Sequence, residues 1–144
     1  MRKLFTATPL MIFPALLYAF IVSASGAAGD GVRHALEAAI FNMPMISGGS
    51  WRFGVGDGVL LIGLVMLFIE IIKSTNTKTF VLINHGLSMV IFVISLIAFM
   101  LFKRFATSEY FLLLSMMLLD VIAGFMVTIV AARRDFGIEA GLGS

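Results

Sequence analysis

Four runs of apolar residues, parted by short polar interruptions, set out this chain: residues 4–24, 57–73, 79–102 and 110–132. At about 1.5 Å of rise per helical residue, each run covers most or all of a hydrocarbon layer roughly 30 Å thick. The pattern predicts an all-α integral membrane protein, a single domain over residues 1–144, with four transmembrane helices in an up-down-up-down bundle. Its centre is the hairpin of the second and third runs, joined by the polar turn Lys73-Ser74-Thr75-Asn76-Thr77-Lys78.

The first run follows a basic Met1-Arg2-Lys3 head and ends in the small residues VSASGAAGD, as a signal peptide would. Its apolar length exceeds the roughly 7–15 residues of a signal core, which predicts a retained helix. Pro9 and Pro14 are expected to kink it, with neighbouring helices satisfying the freed carbonyls. In the long interval that follows, Asp30 is placed to cap a short helix over residues 31–41. Val32, Leu36, Ala39 and Ile40 share one face of it, and Arg33, His34 and Glu37 the other. About eleven residues cannot span a bilayer, so this reads as an interfacial helix in the first outer loop. Asn42-Met43-Pro44 ends it. ISGGSWRFGVGDG then reads as flexible turns, with Trp51 and Phe53 suited to the headgroup layer and Asp57 placed to cap the second span. Tyr110 anchors the start of the fourth span, which is expected to stop at Arg133-Arg134-Asp135 and leave a fraying, glycine-rich tail.

Composition agrees with a lipid solvent: 60% of residues are hydrophobic, 12% are charged, and the mean hydropathy is +1.09. Soluble domains carry charge at about 25%. Cysteine is absent, which excludes disulfides, thiolate metal sites and thiol nucleophiles. With only His34 and His85 present, a histidine-rich metal centre in one chain is not expected. A net charge of +2, scattered along the sequence, does not suggest nucleic acid as a partner. With the N-terminus inside, basic positions 2, 3, 73, 78, 133 and 134 face the cytoplasm and 33, 52, 103 and 104 face outward. That bias predicts both termini cytoplasmic.

Polar groups inside the runs carry whatever chemistry the chain has. Glu70 sits one turn from Lys73, and Asn84-His85 lie opposite it on the antiparallel partner. Helical side chains lean toward their own N-terminus, so Glu70 and His85 lean toward one another. They bond if their faces meet; otherwise Glu70 reaches the headgroups beside Lys73 and His85 bonds a backbone carbonyl. Small and polar residues recur on single faces: Val59, Gly63, Met66 and Glu70; His85, Ser88, Phe92 and Ser95; Asp120, Gly124 and Thr128. Such stripes mark close helix packing in lipid, with Gly63, Ser88, Ser95, Gly124 and Thr128 as contact positions. Asp120 stands near the midplane, where an ionised carboxylate costs about 2.5–3.5 kcal/mol. It is expected to be interior, neutral and hydrogen-bonded, with the Tyr18 hydroxyl as its first partner. GVGDG lacks the lysine and spacing of a phosphate loop, and no Ser–His–Asp constellation or paired metal-ligand motif is present.

The stretches LFIEIIKSTNTKT, INHGLSMVIF and DVIAGFMVTIVAARRD resemble those of a family of small, uncharacterised bacterial inner-membrane proteins with several spans. The resemblance runs from Gly56 to Gly137 and omits the first helix and the outer loop. It implies a bacterial cytoplasmic membrane and lends no activity, cofactor or catalytic residue. Together the residues favour a non-enzymatic accessory, assembly or interaction module that needs no cofactor. Its expected partners are the lipid bilayer and either another membrane protein or further copies of itself. The alternative is a proton- or cation-coupled transporter or channel subunit using Glu70, His85 and Asp120.

Overall fold

The computed structural model describes residues 8–26, 30–74 and 79–141, with side chains at 8–26, 30–74, 83–127 and 129–130. Among these the chain is mostly helical, in the order α1 (Ile12–Ala24), α2 (Asp30–Glu37), β1 (Ala39–Pro44), β2 (Ser50–Gly54), α3 (Val55–Ser74), α4 (Thr79–Leu101) and α5 (Ser108–Gly141). A short 3₁₀ turn, Lys103–Phe105, joins α4 to α5. Helices α3, α4 and α5 each contain a stretch long and apolar enough to cross a membrane.

These three helices wear their apolar residues outward. Phe68, Ile94, Met100, Leu101 and Met126 are exposed, whereas Glu70, Asn84, His85, Ser88, Ser95 and Asp120 are buried. Water would favour the reverse arrangement; a hydrocarbon solvent favours this one, because polar groups find partners only inside the protein. The buried positions keep a three-four spacing. On α3 they are Val59, Gly63, Leu67, Glu70 and Ser74. On α5, Tyr110, Leu113, Met117, Asp120 and Gly124 are buried at the same intervals. Helix α5 is the shared wall, packing along both α3 and α4, while α1 rests mainly on α3. Tyr18, Val22, Val32, Val59, Leu67, Leu113 and Met117 belong to one continuous apolar core.

The ends of the elements depart from the sequence reading in four places. Helix α1 is regular for 13 residues, about 20 Å, and begins at Ile12 although residues 8–11 were expected within it; positions 4–7 of the expected span lie outside the described residues. Pro14 lies in its first turn, where a missing N–H costs nothing, and Pro9 lies ahead of it. The two prolines therefore fix the helix start instead of kinking a longer helix. Second, the helix expected over 31–41 ends at Glu37. Third, the stretch read as flexible turns closes a two-stranded antiparallel hairpin, with Phe41 opposite Phe53 and Met43 opposite Trp51. The connecting loop is held by Met45 N–H to Gly49 O at 2.8 Å and by Gly48, whose φ of 83° favours glycine. Fourth, α5 runs through Arg133-Arg134-Asp135 to Gly141, where a stop and a fraying tail were expected. Apart from Lys73 and Ser74, the polar turn of the central hairpin, residues 75–78, lies outside the described residues.

At the β end of α3, Asp57 sits within the first turn, and its Oδ2 accepts the Gly54 N–H at 2.8 Å. An acid three residues into a helix that reaches back to the preceding N–H is half of a capping box, and its charge also suits the helix N-terminus.

Candidate functional site

Two buried polar clusters lie at opposite ends of the helices. The first grows out of the proline-broken start of α1. Residues ahead of that helix have backbone groups with no helical partner, and such groups must be satisfied inside a bilayer. The Leu10 N–H donates to Glu70 Oε2 at 2.9 Å, and Lys73 Nζ donates to the Thr8 carbonyl at 2.9 Å. Lys73 also pairs with Glu70 at 3.2 Å. The Asn84 amide of α4 bonds the other Glu70 oxygen. A fully buried carboxylate thus gathers donors from the N-terminal segment, from its own helix and from α4. The result is a clamp on the backbone of the N-terminal segment.

Asn84, not His85, takes Glu70, so the pairing expected between Glu70 and His85 is replaced by one with the residue beside it. Adjacent helix positions differ by about 100° in azimuth, and the face that reaches α3 is the one bearing Asn84. His85 turns instead toward α5, where its imidazole lies against Gly124 in a space that a Cβ would fill. One turn further along α4, Ser88 stands beside Asp120. Asn84 Oδ1, both His85 nitrogens, Ser88 Oγ and both Asp120 oxygens are buried without a hydrogen bond among the described residues. Asp120 is therefore interior, as expected, but it is not the hydrogen-bonded group the sequence suggested: packing brings Ser88 beside it without a bond to either oxygen.

The second cluster closes the hairpin end. The Tyr18 hydroxyl bonds Thr107 Oγ1 at 2.7 Å and Arg104 O at 3.4 Å, and Thr107 Oγ1 also receives the Tyr110 N–H at 3.2 Å. The Tyr110 and Phe105 rings pack at tilted angles against Tyr18 around this point, with centroids 4.8 and 5.8 Å from it. Buried Ser95 faces Tyr110. Tyr18 therefore does not partner Asp120. The depth count behind that expectation placed an interface at Arg133, where α5 does not stop. Packing sets another register. Asp120 lies beside Ser88, one turn from the Glu70–Asn84 contact, whereas Tyr18 is eight residues past Leu10, toward the opposite end.

Between the clusters the interior is apolar. Asp120 and Tyr110 are ten residues apart on α5, about 15 Å, and Leu113, Leu114 and Met117 are buried between them. Gly63 lets α3 approach this layer, with Leu113 Cδ1 and Met116 Sδ against it. The side chain of Thr128 lies outside the described residues. Sequence reasoning singled out Glu70, Asn84, His85 and Asp120 but missed the Thr8 carbonyl, the Leu10 N–H and Thr107. The proline pair was the available signal for the first two, since prolines announce unpaired backbone nearby. Among the described residues no three His, Asp or Glu side chains converge as a metal site.

The class defined by this arrangement is that of small helical proteins with apolar outer faces and a polar interior divided into two ends. In comparisons with family models, curated proteins and solved structures, the chain matches none.

Proposed function

We propose that the protein is a non-enzymatic membrane interaction module, and that its intramembrane polar groups hold the fold rather than move a substrate. The observation that carries this reading is the use made of Glu70 and Lys73, both turned onto the chain's own backbone. The apolar layer of Leu113, Leu114 and Met117 supports it further, because it separates the two polar ends. In this reading the exposed faces of α3, α4 and α5 meet lipid and partner helices, in the form of another membrane protein or of further copies of this chain. Helix α1 belongs to a fourth span, and α2 lies at the membrane surface, docked onto the core through buried Val32 and Leu36. In this reading the membrane is a bacterial inner membrane and both termini are cytoplasmic, which the sequence resemblance and the distribution of basic residues support.

Topology is checked with single cysteines at Ser50 and Thr75. Ser50→Cys is expected to label only from outside and Thr75→Cys only from the cytoplasm. Labelling of Ser50→Cys from the cytoplasmic side rejects the orientation.

A proton- or cation-coupled path is the second reading, favoured by the unbonded polar atoms of His85, Ser88 and Asp120. One experiment separates the two: proton flux in liposomes beside thermal stability in detergent, for wild type, Asp120→Asn and Asp120→Leu. As a structural group, Asp120 gives no flux, and the asparagine variant, which has no hydrogen bond of Asp120 to lose among the described residues, stays within about 0.5 kcal/mol of wild type. The leucine variant is expected to hold or gain stability, because it replaces a buried carboxyl that no described group bonds with an apolar side chain. Wild-type flux abolished by Asp120→Asn at unchanged stability would overturn the interaction reading. Native-lipid extraction with identification of the copy number and of copurifying membrane proteins tests the partner directly.

A further inference from the structure

The β hairpin is the part of the fold that the helices do not account for. An isolated two-stranded sheet is marginal in water, and this one exposes large apolar groups. Its register sorts them. Phe41, Met43, Trp51 and Phe53 stand at the paired positions Phe41↔Phe53 and Met43↔Trp51, while Asn42 pairs with Arg52 and Pro44 with Ser50 on alternate positions. Side chains alternate between faces along a strand, so one face is aromatic and the other largely polar. The aromatic face is ordered. Phe41 and Phe53 stack with centroids 4.9 Å apart, and Trp51 meets both edge-on at 5.9 and 5.7 Å. It is also uncovered, with Phe41, Met43 and Trp51 each between 42% and 48% exposed, and Met45 and Ile46 carry the apolar surface out to the loop.

We propose that this hairpin is seated in the headgroup layer of a phospholipid bilayer, with its aromatic face turned to the acyl chains. The occupant is lipid because the face is continuous with the lipid-facing belt of α3. The Ile40 side chain and the Phe53 ring close on Gly58 in the first turns of α3, and the exposed Leu61, Ile62, Leu64 and Val65 follow directly. Backbone chemistry sets the depth. The sheet has only two strands, so the outer edge of each presents unpaired N–H and C=O groups. Those edges exclude the hydrocarbon core, where they would go unsatisfied, but tolerate the hydrated interface. Aromatic side chains, and tryptophan above all, favour that boundary. Arg52, on the opposite face, folds back onto the Glu37 carbonyl and ties the hairpin to the end of α2. This inference rests on membrane insertion of the long helices and not on the interaction reading.

Trp51 is the only tryptophan in the sequence, so tryptophan emission reports the hairpin alone. The full chain is reconstituted in phosphatidylcholine vesicles whose acyl chains carry no bromine, bromine near the headgroup or bromine near the chain end. Carbonate-resistant flotation of the same vesicles establishes that the helices are integrated. The expected result is a blue-shifted emission that shallow bromines quench more strongly than deep ones and that iodide quenches weakly. Substituting Phe41→Ser together with Met43→Ser is expected to raise iodide quenching and weaken bromine quenching. Integrated protein with full iodide quenching and no bromine effect would overturn the proposal by placing the hairpin in water. Shielding from both quenchers would overturn it in favour of a protein contact. Failure to float would remove the membrane reading itself.

Discussion

Glu70→Ala is expected to lower stability by roughly 3 kcal/mol and to release the segment ahead of α1, the low end of the range for breaking a buried ion pair. The low end applies because Lys73 retains some exposure and can turn toward headgroups once its partner is gone. The loss has three parts: the Leu10 N–H loses its acceptor, Lys73 its countercharge, and the Asn84 amide its partner. Intermediate variants separate them. Glu70→Gln keeps an oxygen for the Leu10 N–H but gives Lys73 no charge, so it falls between wild type and alanine. Asn84→Ala removes one hydrogen bond and costs about 1 kcal/mol. Unfolding in mixed detergent micelles measures the stabilities, and limited proteolysis ahead of Ile12 reports release of the segment. An alanine variant within about 0.5 kcal/mol of wild type, the scatter of an uninvolved surface site, would refute the clamp.

Gly124→Ala is expected to cost about 1–3 kcal/mol, as overpacking of a filled interior does. The added methyl has no space to enter, because the His85 imidazole already fills the position of its Cβ. A rigid ring of α4 held against α5 cannot yield as the end of a flexible chain does. Gly63→Ala provides the contrast. Its Cβ would meet Leu113 Cδ1 at 2.9 Å and Met116 Sδ at 3.2 Å, both at the ends of flexible side chains, so less than about 1 kcal/mol is expected there. Removing the ring should relieve the clash, so that His85→Ala combined with Gly124→Ala loses less than the sum of the two single variants. Equal costs at Gly63 and Gly124, or strict additivity of the pair, would reject the packing described between α4 and α5.

Much of the helical part of this fold was legible because lipid imposes a simple rule of length and apolarity. The runs 57–73 and 79–102 became Val55–Ser74 and Thr79–Leu101 with small changes at their ends. Residues 8–11 were expected within the first helix because hydropathy registers Leu10 and Met11 but not what Pro14 does to the turn before it. The hairpin was legible in principle. Ser50-Trp51-Arg52-Phe53 alternates polar and aromatic residues, and Gly48-Gly49 offers a turn. It was overlooked because Ala39 and Ile40 also complete a helical face begun at Val32, and helical period and strand alternation compete over so short a stretch. At the site, residue types were readable but azimuth was not. Asn84 and His85 are neighbours in sequence, and only packing decides which faces α3. The backbone acceptors and donors of Thr8 and Leu10 carry no side-chain signature at all.

Helix α5 has 34 residues, which makes a rod of about 51 Å against a hydrocarbon layer of roughly 30 Å. If α5 crosses such a layer with Ser108 at one boundary, some 20 Å of continuous helix, more than three full turns, stands beyond the other. A structured post of that length transmits rotation and tilt from the embedded helices to whatever is attached at its far end. A spin label or a compact fluorescent domain joined there is therefore held at a set height and angle, and works as a lever arm that reads movements of α5 from outside the bilayer.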